Sequence, residues 1–172
     1  MTAVIVYTLA EYFKHMIDKL TEDQIEELLR KQLIGRVGCH AEGVTYVVPI
    51  SYAYADGYVY SHTREGMKVD LMRKNSAVCF EVDNTHDTSN WQSVIAWGTF
   101  EEISDATERI NALTVLHSRV LPLVSTATAH LGSHWPFSHD ELTDIDGIVF
   151  RICLKEKTGR FESNIETPSF TY

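Results

Sequence analysis

The sequence predicts a mainly β fold: an antiparallel barrel of about six strands with helices at its periphery. Three observations predict it. From Ile34 onward apolar residues recur at every second position, the period of a strand with one buried face. Glu42-Gly43 and Asp56-Gly57 fall between such runs, and a tight hairpin turn needs positive φ at both central residues. Of the eight tyrosines, four lie between Tyr52 and Tyr60, and crowded aromatic residues favour a pleated surface. At 172 residues the chain suits one domain, 1–172, large enough to bury a core without disulfide or metal staples.

The first thirty-odd residues read as helical, with residues 1–20 as an N-terminal extension. Thr8-x-x-Glu11 and Thr21-x-x-Gln24 both have capping-box form, and Leu20 and Ile25 flank the second as a hydrophobic staple. Ile25, Leu28, Leu29 and Leu33 trace one face, while Glu22, Asp23, Glu26 and Glu27 occupy the end favoured by the helix dipole. Strands follow at Ile34 to His40 and Val44 to Tyr54, with a return strand from Tyr58 to His62. Gly66 to Asn75 has a helical pattern. Ala77 to Asp83 and Val94 to Ile103 are further strands, separated by the polar, turn-forming stretch Asn84 to Asn90. Asp105 caps a helix running to about Val120, with Ile110, Leu113 and Leu116 on one side. Leu121 to Leu142 is irregular, Gly147 to Lys155 is the last strand, and 156–172 is a polar tail. A hairpin meander with one short inserted helix excludes a βαβ nucleotide-binding unit.

Composition narrows function. A formal charge of −9 and the lack of a basic run argue against a nucleic-acid partner. Three separated cysteines with no CxxC pair, and no basic leader segment, point to a reducing, cytoplasmic setting. No apolar stretch approaches transmembrane length, so a soluble protein without a membrane partner is expected. A phosphorylated ligand of so acidic a chain must be held locally. The stretch Ser61-His-Thr-Arg-Glu-Gly-Met-Lys68 is suited to hold one, because a strand ends there, a polar loop follows, and a helix begins with Lys68 in its first turn. Ser61, His62 and Thr63 can donate hydrogen bonds, and Arg64 lies nearby. The alternative is a solvated surface lysine beside an ordinary strand end.

Five runs decide between these. Val48-Pro-Ile-Ser-Tyr-Ala-Tyr54, Asp56-Gly-Tyr-Val-Tyr-Ser-His62, Gly66-Met-Lys68, Asn75-Ser-Ala-Val-Cys-Phe-Glu-Val-Asp83 and Trp91-Gln-Ser-Val-Ile-Ala-Trp-Gly98, in that order, resemble the pyridoxamine 5′-phosphate oxidase-like FMN-binding split-barrel superfamily, nearest its nitroimidazole-resistance branch. The resemblance covers roughly Thr21 to Lys155. It implies a six-stranded antiparallel split barrel forming a homodimer with FMN at the subunit interface. Val48, Pro49, Ile50 and Ser51 would then lie along the isoalloxazine ring. Ser61, His62, Thr63, Met67 and Lys68 would reach the phosphate and ribityl chain, and Ser93 and Val94 the pyrimidine edge. Trp135 is the candidate to close the pocket. The tail Arg160-Phe-Glu-Ser-Asn-Ile does not reproduce the Trp- and Arg-containing closing segment of the true oxidases, so pyridoxamine phosphate oxidation is not expected.

The implied activity is an FMN-dependent oxidoreductase acting on a small nitro- or quinone-type acceptor. A non-catalytic flavin or haem binder or sensor on the same barrel is the alternative, and FAD is a further possible occupant. A haem would need an axial ligand such as His62. His130, His134 and His139 admit a zinc reading, but Gly132 and Pro136 weaken a helix there, and a loop lining the flavin pocket or plain surface is preferred. No nucleophile–base pair is legible, and no catalytic residue is assigned. The tyrosine stripe suits core and interface better than a cofactor cage.

Overall fold

In the computed structural model, residues 17–118 and 146–163 are described. Eight strands form one antiparallel sheet: β1 (Asp18–Lys19), β2 (Ile34–Ala41), β3 (Val44–Ser51), β4 (Ala53–Ala55), β5 (Tyr58–Thr63), β6 (Ala77–Asp87), β7 (Asn90–Glu102) and β8 (Ile148–Glu162). Three helices accompany them: α1 (Glu22–Lys31), α2 (Met67–Lys74) and α3 (Ala106–His117). The hydrogen-bonded order is β3-β2-β6-β7-β8-β5-β4, with β1 beside β8. β7 covers one edge of β8 along most of its length, and β5 and β1 share the other.

Both turn signals act as read. Glu42 and Gly43 have φ of 52° and 77°, and Asp56 and Gly57 have φ of 50° and 82°. The left-handed conformation costs glycine nothing, and an acidic side chain tolerates the first position. The capping box at Thr21 is also present. Its hydroxyl accepts from the Gln24 N–H (3.3 Å), and the Thr21 N–H donates to the Gln24 side chain (2.8 Å). Such a cap contributes about 1 kcal/mol. Burial of Ile25, Leu28 and Leu29 contributes about 1.5–3 kcal/mol each, so packing holds α1 and the cap sets where it starts.

Several boundaries differ from the sequence reading. More than six strands form, because polar residues also join the ladders. Asn84, Thr85 and Asp87 pair with Gln92, Trp91 and Asn90, so the predicted polar turn shrinks to Thr88-Ser89. The last strand continues past Lys155 to Glu162, taking in the first part of the predicted tail. Asp18–Lys19 pairs with Arg160 and Phe161 as a strand rather than continuing a helix. Ile110 is exposed, and Ala112, Leu113 and Leu116 form the buried face of α3. Backbone pairing carries no side-chain signature, which is why the period of two missed these ends. The predicted helix from Thr8 lies outside the described residues.

The most consequential difference is at Tyr52. The predicted strand from Val44 to Tyr54 is broken there into β3 and β4, which lie at opposite ends of the ladder order. Tyr52 is fully buried. Its N–H donates to the Leu33 carbonyl (3.2 Å), its hydroxyl donates to the Leu29 carbonyl (2.8 Å), and its ring meets Phe80 edge-on at 4.9 Å. Among the described residues no ladder joins β3 to β4 or β5. The Ser61 hydroxyl instead donates to the Ser51 carbonyl (2.8 Å), bringing the end of β3 against β5.

One core lies against the inner face of this sheet, built on Leu29, Val37, Tyr52, Val59, Met72, Phe80, Val82, Val94, Phe150 and Ile152. A smaller cluster packs α3 on the other face of β4, β5 and β8, through Ala53, Ile103, Leu113, Leu116 and Val149. No helix among the described residues is long and apolar enough to cross a membrane. Removing the Tyr52 hydroxyl leaves a buried carbonyl short of a partner. Tyr52→Phe should therefore lower unfolding free energy by about 1–3 kcal/mol in urea denaturation. Tyr58→Phe, on the half-buried surface, should change it by under about 0.5 kcal/mol.

Candidate functional site

β5 ends at Thr63, residues 64–66 turn, and α2 begins at Met67. The turn is possible because Gly66 adopts φ 157°. Unlike α1 and α3, whose first turns are capped by Thr21 and Asp105, α2 has no side-chain cap. The N–H groups of Val69 and Asp70 donate to the Gly66 carbonyl, whereas those of Met67 and Lys68 have no acceptor among the described residues. The positive end of the helix dipole is left open there.

Lys68 adds a full charge to that turn. Burial pushes its pKa down, and the nearby Cys39 thiol offsets this only in part. Arg30, Lys31, Arg36, Arg73, Lys74, Arg151 and Lys157 are all paired with carboxylates. Lys68 is half-buried and has no ion pair among the described residues. A partly desolvated ammonium without an anion is unfavourable, so the turn is electrostatically incomplete.

The remaining predicted residues divide between faces. Ser61 is buried facing inward, and its hydroxyl is engaged by Ser51. His62 faces the other way, beside Val149 and towards α3, and its Nε2 donates to the Asp146 carbonyl (2.7 Å). Gly147 makes that contact possible: at φ 108°, a Cβ would come within 2.6 Å of the Thr63 carbonyl oxygen and 2.9 Å of His62 Nε2. Thr63 donates to the Arg64 carbonyl (3.3 Å). Pro49 and Ser51 are exposed on edge strand β3, whereas Ile50 points into the core and Val48 packs against it. Val94 is fully buried in the core, on a strand paired on both edges, with Val82 on one side and Gly159 on the other. Ser93, on the outer face, donates to Glu81 (3.4 Å). Trp135 lies outside the described residues, as do His130, His134 and His139. Among the described residues no cluster of His, Cys, Asp and Glu is arranged to hold a metal.

A second feature was not assigned from the sequence. Ladder register aligns Trp97, Cys79, Gly38 and Val47 in one row across the outer face, with Ile95, Glu81, Arg36 and Pro49 in the next. A groove of about 800 Å³ runs there, lined by Arg36, Gly38, His40, Val47 and Trp97 among others. Ile34 and Val47 are 63% and 62% exposed, and Trp97 43%. Arg36 lies between Glu81 (2.9 Å) and Asp83 (2.7 Å). The signal was present in the sequence: on β2, β3 and β7 both alternating sets contain large apolar residues, so one set had to face outward.

Comparison with known proteins gives these features a context. The family model described as pyridoxamine 5′-phosphate oxidase matches residues 21–160. An uncharacterised protein of Rhizobium meliloti is 29% identical over 90 residues, half of this chain, and the match spans 60% of that relative's length. The crystal structure of an FAD-binding protein from Mesorhizobium loti superimposes with a TM-score of 0.65 at 28% identity, covering 86% of this chain and 99% of that one. A candidate 5-nitroimidazole antibiotic resistance protein from Bacteroides thetaiotaomicron gives a TM-score of 0.64 at 20% identity, covering 85% and 87% of the two chains, and shares the fold.

The His62 environment has a consequence for pH. Burial pushes its pKa below the ordinary 6.5, the bond to Asp146 opposes this, and Arg109 and Arg64 add to the lowering. The folded state thus favours the neutral ring. Its contribution is complete above about pH 6.5 and declines as pH falls through that value toward the lower folded pKa. His62→Gln should therefore lose less thermal stability than the wild type between about pH 7.5 and pH 5. Equal losses in both proteins would remove His62 as the source.

Proposed function

The chain belongs to the pyridoxamine 5′-phosphate oxidase family, and from that premise we propose that it binds FMN at the N-terminus of α2 in a homodimer and reduces a small nitro- or quinone-type acceptor. The observation that carries this reading is Lys68, a half-buried ammonium with no carboxylate partner among the described residues, beside two open N–H groups. A phosphate supplies the missing charge and acceptors together. In a chain of net charge −9 only such a local arrangement attracts an anion.

The other residues fit a flavin. β3 ends the ladder order, with no strand paired on its outer side among the described residues, which suits it to lie against a flat ring. Exposed Pro49 and Ser51 offer little bulk against it. When bound, a flavin supplies the electron-transfer chemistry, while the protein supplies binding, orientation and exclusion of water. Lys68 would neutralise the phosphate, and β3 would fix the ring. The Mesorhizobium loti relative is named for FAD, which contains the same ribityl phosphate unit. The identity of flavin released on denaturation distinguishes the two.

The homodimer rests on the outer face. Two-fold association sets one patch against itself. This patch carries apolar Ile34, Val47, Ile95 and Trp97 around adjacent opposite charges at Arg36 and Glu81, which can pair across such an axis. Within one protomer Ser93 lies on the opposite face from the Cys39 side chain near Lys68. A flavin touching both Lys68 and Ser93 would draw the second contact from another copy.

Purified protein should show flavin absorbance or take up one FMN per subunit on reconstitution. Chain that refuses FMN and FAD would end the reading. Reoxidation of the reduced, flavin-loaded protein by a nitroarene or quinone separates a reductase from a carrier. Lys68→Ala should weaken FMN binding by about 1.5–3 kcal/mol, the range for losing a charged hydrogen bond, as read by fluorescence titration. Val47→Asp should shift the elution volume from dimer toward monomer, because it buries like charges at a two-fold interface. An unchanged dimer would move the interface elsewhere.

A further inference from the structure

Arg73, in the last turn of α2, makes four hydrogen bonds to two carboxylates. Nε and Nη2 donate to Glu102 at the end of β7 (2.8 and 3.0 Å), and Nη1 and Nη2 donate to Glu65 (both 2.9 Å). Glu65 lies in the loop of residues 64–66, immediately before the open turn at Met67 and Lys68. We propose that Arg73 is the positioning residue of the phosphate site, clamping this loop to β7 so that the first turn of α2 stays aimed at its anion. The inference rests on the flavin reading above.

Stability alone does not account for the clamp. Arg73, Glu65 and Glu102 side chains are 38%, 61% and 34% exposed, and ion pairs in such positions contribute little to folding. What two bidentate pairs supply is geometry, since a planar guanidinium fixes both carboxylates relative to itself. The segment they fix otherwise has little to hold it. Arg64, Glu65, Gly66 and Met67 are exposed, and α2 has no side-chain cap. Without Arg73 the loop must be ordered at the moment of binding, and ligand affinity bears that cost. Lys in place of Arg would keep the charge and lose the double fork.

Flavin titrations of the full-length protein with FMN and with riboflavin, which lacks the phosphate, test this. The wild type should prefer FMN. Arg73→Gln and Glu65→Gln should each lose about three- to tenfold in FMN affinity while riboflavin affinity and the flavin-free melting temperature hold. The Glu65 variant is decisive in sign. It removes a negative charge close to the phosphate, so simple electrostatics predict tighter FMN binding and positioning predicts weaker. FMN affinity that is unchanged or higher in Glu65→Gln overturns the proposal, as does an Arg73→Gln protein that keeps the full preference for FMN. A wild-type chain that binds neither flavin, or both equally, overturns the phosphate reading itself and the clamp with it.

Discussion

The sheet is organised by one buried residue. β3 and β4 are separated in the chain only by Tyr52, yet they end the ladder order at opposite extremes. At Tyr52 the chain therefore passes from one extreme of the ladder order to the other. Three contacts hold it: the backbone bond to Leu33, the hydroxyl bond to Leu29, and the edge-on contact with Phe80. The first two tie the sheet's discontinuity to the end of α1 and the residues after it. Helix packing and strand order are thus one constraint, and a fully buried aromatic side chain is well suited to transmit it.

The candidate site inherits its position from this arrangement. The ends of β3 and β5 are drawn together where the Ser61 hydroxyl holds the Ser51 carbonyl, and the chain leaving β5 turns into α2, which packs against β2. Strand alternation then sorts neighbouring residues by what they support. Ser61 ties β5 to the end of β3, His62 supports the packing of α3, and Lys68 is the one of the three left with an unmet charge among the described residues. Residues that look like one cluster in the sequence have three different roles in the fold.

What was legible followed from local chemistry. The Asp56-Gly57 and Glu42-Gly43 turns and the Thr21 box need only near neighbours to be recognised. The break at Tyr52 was not legible, because Tyr52 and Tyr54 continue the alternation begun at Tyr46 and nothing local marks a change of partner. The polar end of the β6–β7 hairpin was missed for a related reason: its pairing is backbone to backbone. Val94 and Ile50 were placed at a ligand by their strands, but their side chains are committed to the core. The apolar residues of the outer face were visible and went unassigned, since a barrel reading needs only one buried face. The clamp at Arg73 joins positions far apart in the chain, and no spacing rule connects Glu65, Arg73 and Glu102.

The place of β8 in the ladder bears on how the molecule is made. This strand pairs with β7 along one edge and with β5 and β1 along the other, so it closes pairings begun by three earlier segments. During synthesis those segments emerge first and wait with unsatisfied edges and an uncovered apolar interior until residue 148 and its successors leave the ribosome. Sheet formation is then governed by late, long-range loop closure. The nascent chain passes through an interval in which edge-to-edge association with other chains competes with its own completion, and chaperone shielding has most to offer there.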